Sequence, residues 1–272
     1  MALSPYINYI AKDFDINRIS RYGLTIQISL GGFSFLMHDS ESRQPVAFQA
    51  YNGVDCLDGL MPALDEFCAD NDVEVGLLKS VTAIVDDAGY AIVPSAFFER
   101  EYAETYLNFC NDNGGGEVLS EHIDKPGCEV VYGLKKNLGE QLRSVSDKVV
   151  FRHSAAILID RLLPNNKGMS QYVNVRQSDF DVMVVDGDKM LFYNSFKFNG
   201  IDEFVYYLVT VMRQYGNVED MNLYFMGMLM PDSEVVKLAG RYVRNIGFVE
   251  DVPCLPDVDM PRHCFYVPLS TI

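Results

Sequence analysis

From Leu24 to Asp39 the chain reads LTIQISLGGFSFLMHD: apolar and polar residues alternate up to Gly31–Gly32 and alternate again beyond. A period of two marks a half-buried strand, so the stretch predicts two strands joined by a glycine hairpin. The layout returns later in the chain. Set without gaps at an offset of 147 residues (200 − 53), Leu24–Gly53 lies over Gln171–Gly200. Phe33, Asp39, Asn52 and Gly53 fall on Phe180, Asp186, Asn199 and Gly200, with Asp55 on Asp202 just beyond.

The apolar positions follow the identities. Ile26 and Ile28 match Val173 and Val175, while Phe35, Leu36 and Met37 match Val182, Met183 and Val184. Further on, Leu57, Leu60, Met61 and Leu64 fall on Phe204, Tyr207, Leu208 and Val211, one face of a helix. Each half therefore predicts strand, turn, strand, turn, strand and an amphipathic helix. Asp186–Gly187 is a hairpin signal, Asp39–Ser40–Glu41–Ser42 a looser bend, and the Asp two residues past each Asn-Gly is expected to cap the helix.

A buried strand follows each helix, LKSVTAIV from Leu78 and MNLYFMGMLM from Met221. Between the halves, residues 96–110 predict a helix that NDNGGG (111–116) breaks into a flexible loop. A strand over 127–134 and helices over 136–145 and 153–163 come next, then a helix in SEVVKLAGRYVRNIG and a last strand near HCFYVPL. The class is α/β, with two lobes of like topology divided near residue 150: 1–150 and 151–272.

Composition narrows the function. At 49% hydrophobic and 22% charged residues the chain has the make-up of a folded globular protein. Its net charge of −16, with no basic face, sets it against nucleic acid and anionic lipid as partners. The opening MALSPYINYIAKDFDINRIS has acids early and no basic start before an apolar run, and no stretch is apolar long enough to span a bilayer. A soluble, cytoplasmic, acidic protein is expected. The six cysteines form no C-x-x-C pair and read as reduced core residues; His263–Cys264, read as strand neighbours, is a poor chelate. His38, His122, His153 and His263 are scattered, and no nucleophile–base grouping can be assembled from them.

Two lobes that each open with a hairpin, a third strand and a helix resemble the actin-like ATPase architecture. YGLTIQISLGGFSFLMHD, AIVPSAFFEREYAETYL and FRHSAAILIDRLL…FDVMVVDGDKMLFYNSFKFNG further resemble a bacterial family catalogued as a domain of unknown function (number 3822). The resemblance covers roughly residues 20–268 and implies two ribonuclease-H-like lobes related by duplication. It also implies a nucleotide cleft, with Asp-x-Gly at each first hairpin and a pair of small residues at an adenosine turn.

At those places this chain departs from the pattern. The first hairpin has Ser29–Leu30–Gly31–Gly32, with serine for the carboxylate; the second has Arg176–Gln177–Ser178–Asp179, and the turn after the later strand keeps Gly227 but continues with Met228. Serine offers no charge to hold Mg²⁺, whereas Arg176 is suited to an anion without metal. Ser29, Gly31, Gly32, Arg176, Ser178 and Gly227 are the candidates for a degenerate nucleotide cleft, with no catalytic or metal residues and no cofactor required, ATP remaining possible.

Each candidate has a plainer reading. Gly31–Gly32 reads more readily as a hairpin needing positive φ than as a phosphate cradle. Arg176 reads as an anion site, an exposed strand residue or a salt-bridge partner. Asp179 and Asp181 read as a solvated strand face, or as displaced acids of a working ATPase or kinase. Tyr206, opposite the Phe204–Tyr207–Val211 stripe, reads as part of a helix buried between layers, or else as an exposed patch for another protein. The expected function is a non-catalytic module that holds a protein partner or weakly binds nucleotide, with an active ATPase as the alternative.

Overall fold

The computed structural model describes residues 3–54, 56–110, 116–135 and 137–272, so Asp55 and most of the expected 111–116 loop lie outside the described residues. Two compact units form. The first takes the chain up to Ile157 with Pro253–Asp259 and Pro268–Ile272; the second holds Leu158–Val252 and Met260–Val267. The divide thus falls past residue 150, and two tail segments return to the first unit.

The first unit contains β1 (Ile7–Ile10), β2 (Tyr22–Ser29), β3 (Gly32–Asp39), β4 (Gln44–Asn52), α1 (Cys56–Asp70) and β5 (Ser80–Asp86). It continues through β6 (Tyr90–Pro94), α2 (Ala103–Cys110), β7 (Glu117–Ile123), β8 (Cys128–Leu134), α3 (Leu138–Val145) and β9 (Val149–His153). Helix α4 (Ser154–Leu162) leads on to β10 (Met169–Val175), β11 (Asp179–Asp186), β12 (Lys189–Lys197), α5 (Ile201–Tyr215), β13 (Asn222–Gly227), α6 (Glu234–Ala239), β14 (Asn245–Phe248) and α7 (Tyr266–Leu269).

The main sheet of the first unit runs β1-β4-β3-β2-β5-β9, and that of the second runs β12-β11-β10-β13-β14. In both, the first three strands of the repeat are antiparallel, and the last two lie parallel to the first. One face of each sheet packs on its helix. Leu24, Ile26, Phe35 and Met37 bury against Leu60, Leu64 and Phe67; Val173, Phe180 and Val182 bury against Phe204, Leu208 and Met212. Strands β6, β8 and β7 make a separate three-stranded antiparallel sheet, and Leu107 of α2 joins Ala91, Val93 and Val131 in its core.

The duplication holds to fine detail. β3 and β11 begin and end at the offset of 147 (179 − 32), and each meets its third strand with a bulge at the same place, Met37/His38 and Val184/Val185. Past the loop that joins β3 to β4 the offset becomes 145: Gly32 faces Asn52 where Asp179 faces Lys197, and α1 and α5 start at Cys56 and Ile201. The Asn-Gly identities and the expected helix stripe were therefore two residues out of structural register. The buried positions Leu60, Ala63, Leu64 and Phe67 correspond to Val205, Leu208, Val209 and Met212.

Other expectations change as well. Gly200 is the N-cap of α5 and Asp202 sits inside its first turn; the cap region is tied instead by Glu203, which accepts from the Asn199 backbone N–H at 2.9 Å. The expected helix around SEVVKLAGRYVRNIG is short α6 followed by β14, and HCFYVPL is helical, so His263 and Cys264 are not strand neighbours. Cys128 and Cys264 are buried thiols, whereas Cys110 and Cys254 are exposed, contrary to an all-core reading. No helix among the described residues is long and apolar enough to cross a membrane.

Two histidines are set in opposite environments. Burial holds the His38 ring below its ordinary 6.5, with Asp39 opposing and Lys79 adding to the shift, whereas a hydrogen bond to Glu129 raises exposed His122. His38 therefore withdraws stability as pH falls below 6.5 toward its depressed folded value, because the unfolded chain takes the proton first. His122 acts in reverse, contributing at low pH and losing that contribution as pH rises through its raised value. Ring NMR titration is expected to place the His38 midpoint below 6.5 and that of His122 above it.

Candidate functional site

In an open α/β sheet, ligand chemistry belongs at the carboxyl ends of the parallel strands. In the first unit these ends place Ser29 beside Asp86 and Val85 beside His153. The hairpin tip is satisfied internally. Ser29 Oγ donates to the Gly32 carbonyl at 2.9 Å, and the Gly31 carbonyl accepts the Gly53 N–H at 2.8 Å. Gly32 has φ +156°, and a Cβ there would stand 1.9 Å from the Tyr51 carbonyl oxygen. Close passage of β4 thus accounts for that glycine.

Behind the tip lies a buried polar network that the sequence reading missed. Asp86 accepts from Gln27 Nε2 at 2.6 Å, and Ser34 Oγ donates to Gln27 Oε1 at 3.3 Å. Ser29, Leu30, Asp87 and Lys135 line a hollow of about 290 Å³, counted out to open solvent. Deeper in, His153 is fully buried between the rings of Tyr90 and Tyr132, at 5.0 and 5.2 Å. Its Nδ1 accepts the Ala155 N–H at 3.1 Å, which leaves the proton on Nε2. Among the described residues that Nε2 has no hydrogen-bond partner, and it stands 3.7 Å from Asp87 Oδ1. The readable signal was the pair Asp86–Asp87 ending an apolar strand just before Gly89.

The second tip is an ion cluster. Arg176 Nε donates to Asp179 Oδ1 at 2.5 Å, and its two terminal nitrogens grip both oxygens of Asp181 at 2.5 and 2.7 Å. Ser195 Oγ donates to Asp181 at 2.5 Å, Asn174 Nδ2 does so at 3.3 Å, and Ser178 Oγ reaches Asp179 at 3.4 Å. The side chains of Arg176, Asp179 and Asp181 are only 9%, 3% and 3% exposed. The solvated-face reading of the two acids is corrected: the side of β11 opposite Phe180 is itself covered, with Met183 buried on it. Of the readings open for Arg176, the geometry is that of the salt-bridge partner.

Gly227 stands beside Val175 at the ends of β13 and β10, with φ +81° and space for a Cβ only 2.2 Å from the Val175 carbonyl oxygen. Met228 donates its N–H to the same oxygen at 2.7 Å, and the residue is 44% exposed. Ser29, Gly31 and Gly32 thus come together in one unit, and Arg176, Ser178 and Gly227 lie around the strand ends of the other.

The model of the family described as "Protein of unknown function (DUF3822)" matches residues 11–246. No curated protein matches the chain by sequence. Among solved structures, a Bacteroides thetaiotaomicron VPI-5482 protein of actin-like ATPase fold and unknown function is similar, with a TM-score of 0.75 and 20% identity over 87% of this chain and 93% of that one. A chain of the PilM–PilN type IV pilus biogenesis complex is also similar, with a TM-score of 0.60 and 12% identity over 93% of this chain and 98% of that one. The fold is that of the actin-like ATPases.

Proposed function

We propose that this chain, which belongs to the family of proteins of unknown function DUF3822, is a non-catalytic module of actin-like ATPase fold that works by holding another protein. The observation that carries this reading is the buried grip of Arg176 on Asp179 and Asp181. A hard cation needs carboxylate oxygens with lone pairs to offer, and phosphoryl transfer needs that cation placed together with its water. Both oxygens of Asp181 already accept from the guanidinium, and Ser195 and Asn174 add further donors. At the other tip a neutral hydroxyl, already donated to Gly32, stands where a carboxylate would be needed.

These residues do not fit a magnesium nucleotide in the manner of an ATPase. Any nucleotide held at Ser29, Gly31, Gly32, Arg176, Ser178 or Gly227 is bound weakly and left intact. Occurrence of the fold in the PilM–PilN complex supports a body used for partnership, and the acidic surface goes with a protein partner in the cytoplasm over nucleic acid or lipid.

Thermal unfolding with and without millimolar Mg-ATP tests the reading. A competent site at a hundredfold excess over Kd adds about 2.7 kcal/mol, several degrees for a protein of this size. The expected result is no magnesium-dependent shift and no phosphate release. Stabilisation that needs magnesium, accompanied by released phosphate, would restore the active ATPase with Asp179 or Asp181 as its acid.

A further inference from the structure

The duplicated sheets differ at one edge. In the first unit, β1 lies antiparallel on the outer side of β4, pairing Ile7 with Ala50 and Ile10 with Ala47. Its residues alternate buried and exposed, with Ile7 and Tyr9 inside. In the second unit β12 occupies the place of β4 and ends the sheet; among the described residues no strand pairs with its outer side. Seven of the nine residues of β4 are buried, but none of the nine in β12 is.

Exposed edges are normally blunted by proline, internal charge or a bulge. The strand KMLFYNSFK has no proline and no charge between Lys189 and Lys197, whereas β4 carries Pro45. Its bulge against β11 is shared with the covered edge of the other unit, so it does not prevent pairing. Leu191, the third residue of the strand, is 39% exposed.

We propose that β12 is the docking edge of this module. It takes an extended segment of another protein as an added antiparallel strand, apolar at alternate positions and acidic at its ends. This rests on the protein-holding reading above and names the surface. The register follows from the duplicate: Ala47 to Ala50 correspond to Phe192 to Ser195, so the incoming segment runs opposite those four residues as β1 does opposite β4. Main-chain hydrogen bonds supply the affinity, and alternate side chains supply the selection. Acidic ends are set by Lys189 and Lys197, both exposed. A second copy is the wrong occupant, because antiparallel self-pairing centred on Tyr193 sets Lys189 against Lys197 at both ends, and like charges directly opposed repel.

The test uses the full chain and a displayed library of random peptides about nine residues long, the length of β12. Enriched peptides are expected to alternate apolar residues, and hydrogen exchange should slow in β12 when they bind. Tyr193→Pro, at a position whose backbone turns to the outer side as that of Phe48 does, and Leu191→Glu are each expected to weaken binding roughly tenfold or more. Leu191→Glu leaves the backbone intact, so it decides the matter if Tyr193→Pro does not fold. No enriched peptide, protection confined to another element, unchanged affinity in Leu191→Glu, or a dimer that protects β12 would each overturn the proposal. Phosphate release by the same preparation would sink the parent reading while leaving edge binding in place; an unbound edge without hydrolysis does the reverse.

Discussion

Gly32→Ala is expected to lower the stability of the first unit by about 3 kcal/mol or more, an unusually large effect for one added methyl. At φ +156° the new Cβ would meet the Tyr51 carbonyl oxygen at 1.9 Å, its carbon at 3.0 Å and the Asn52 Cα at 3.2 Å. All three atoms are backbone, so no side chain can turn away to relieve the overlap. Relief requires β4 to retreat, and β4 is held on one side by β3 and on the other by β1. Gly53→Ala is the control. It has φ +70° and, among the described residues, nothing within 4 Å of a Cβ, so it carries only the left-handed backbone cost of about 1–2 kcal/mol. Urea unfolding of the two variants measures the difference. Equal costs would mean that strand approach does not dictate the glycine, and a phosphate cradle would again be needed to explain it.

The fold was largely legible because period-two alternation and its recurrence at a constant offset survive any amount of side-chain change. The slip to 145 was not legible, for a definite reason. The loop between β3 and β4 spans residues 40–43 and that between β11 and β12 only Gly187 and Asp188, so the two differ by two residues. An insertion of two preserves the inside–outside alternation of a strand, and a period-two pattern cannot register it. Only burial along the helices separates the two offsets. The tail HCFYVPL misled in another way: His263 through Leu269 are buried on all sides, so no period distinguishes helix from strand there. Short β1 and β9 gave too few residues for a pattern.

The site was legible in its departures from Asp-x-Gly but not in its pairings. Asp179 and Asp181 alternate with apolar residues, as acids on a wetted strand do. Their burial depends on Arg176 across the turn, at spacings of three and five residues, and a carboxylate buries only beside such a partner. His153 and Asp87 meet only through the parallel pairing of β5 with β9, which no local window contains.

That dependence yields the second large effect. Arg176→Met is expected to cost about 3–5 kcal/mol in urea unfolding, because it leaves two carboxylates buried without their cation. Replacing the acids together with the arginine, as Arg176→Met with Asp179→Asn and Asp181→Asn, removes the stranded charge and is expected to recover much of the loss. Arg176→Lys should recover little, since an ammonium cannot span both oxygens of Asp181 as the two guanidinium nitrogens do. The series separates two roles for the same residue. An arginine kept for a bound anion could be removed with little effect on the free protein, and only the response to added phosphate or nucleotide would change. An arginine that neutralises its own strand takes the fold with it when it goes, and the triple variant brings the fold back. The second outcome is the one required of a hairpin tip whose buried acids are held by Arg176 where β10 meets β11.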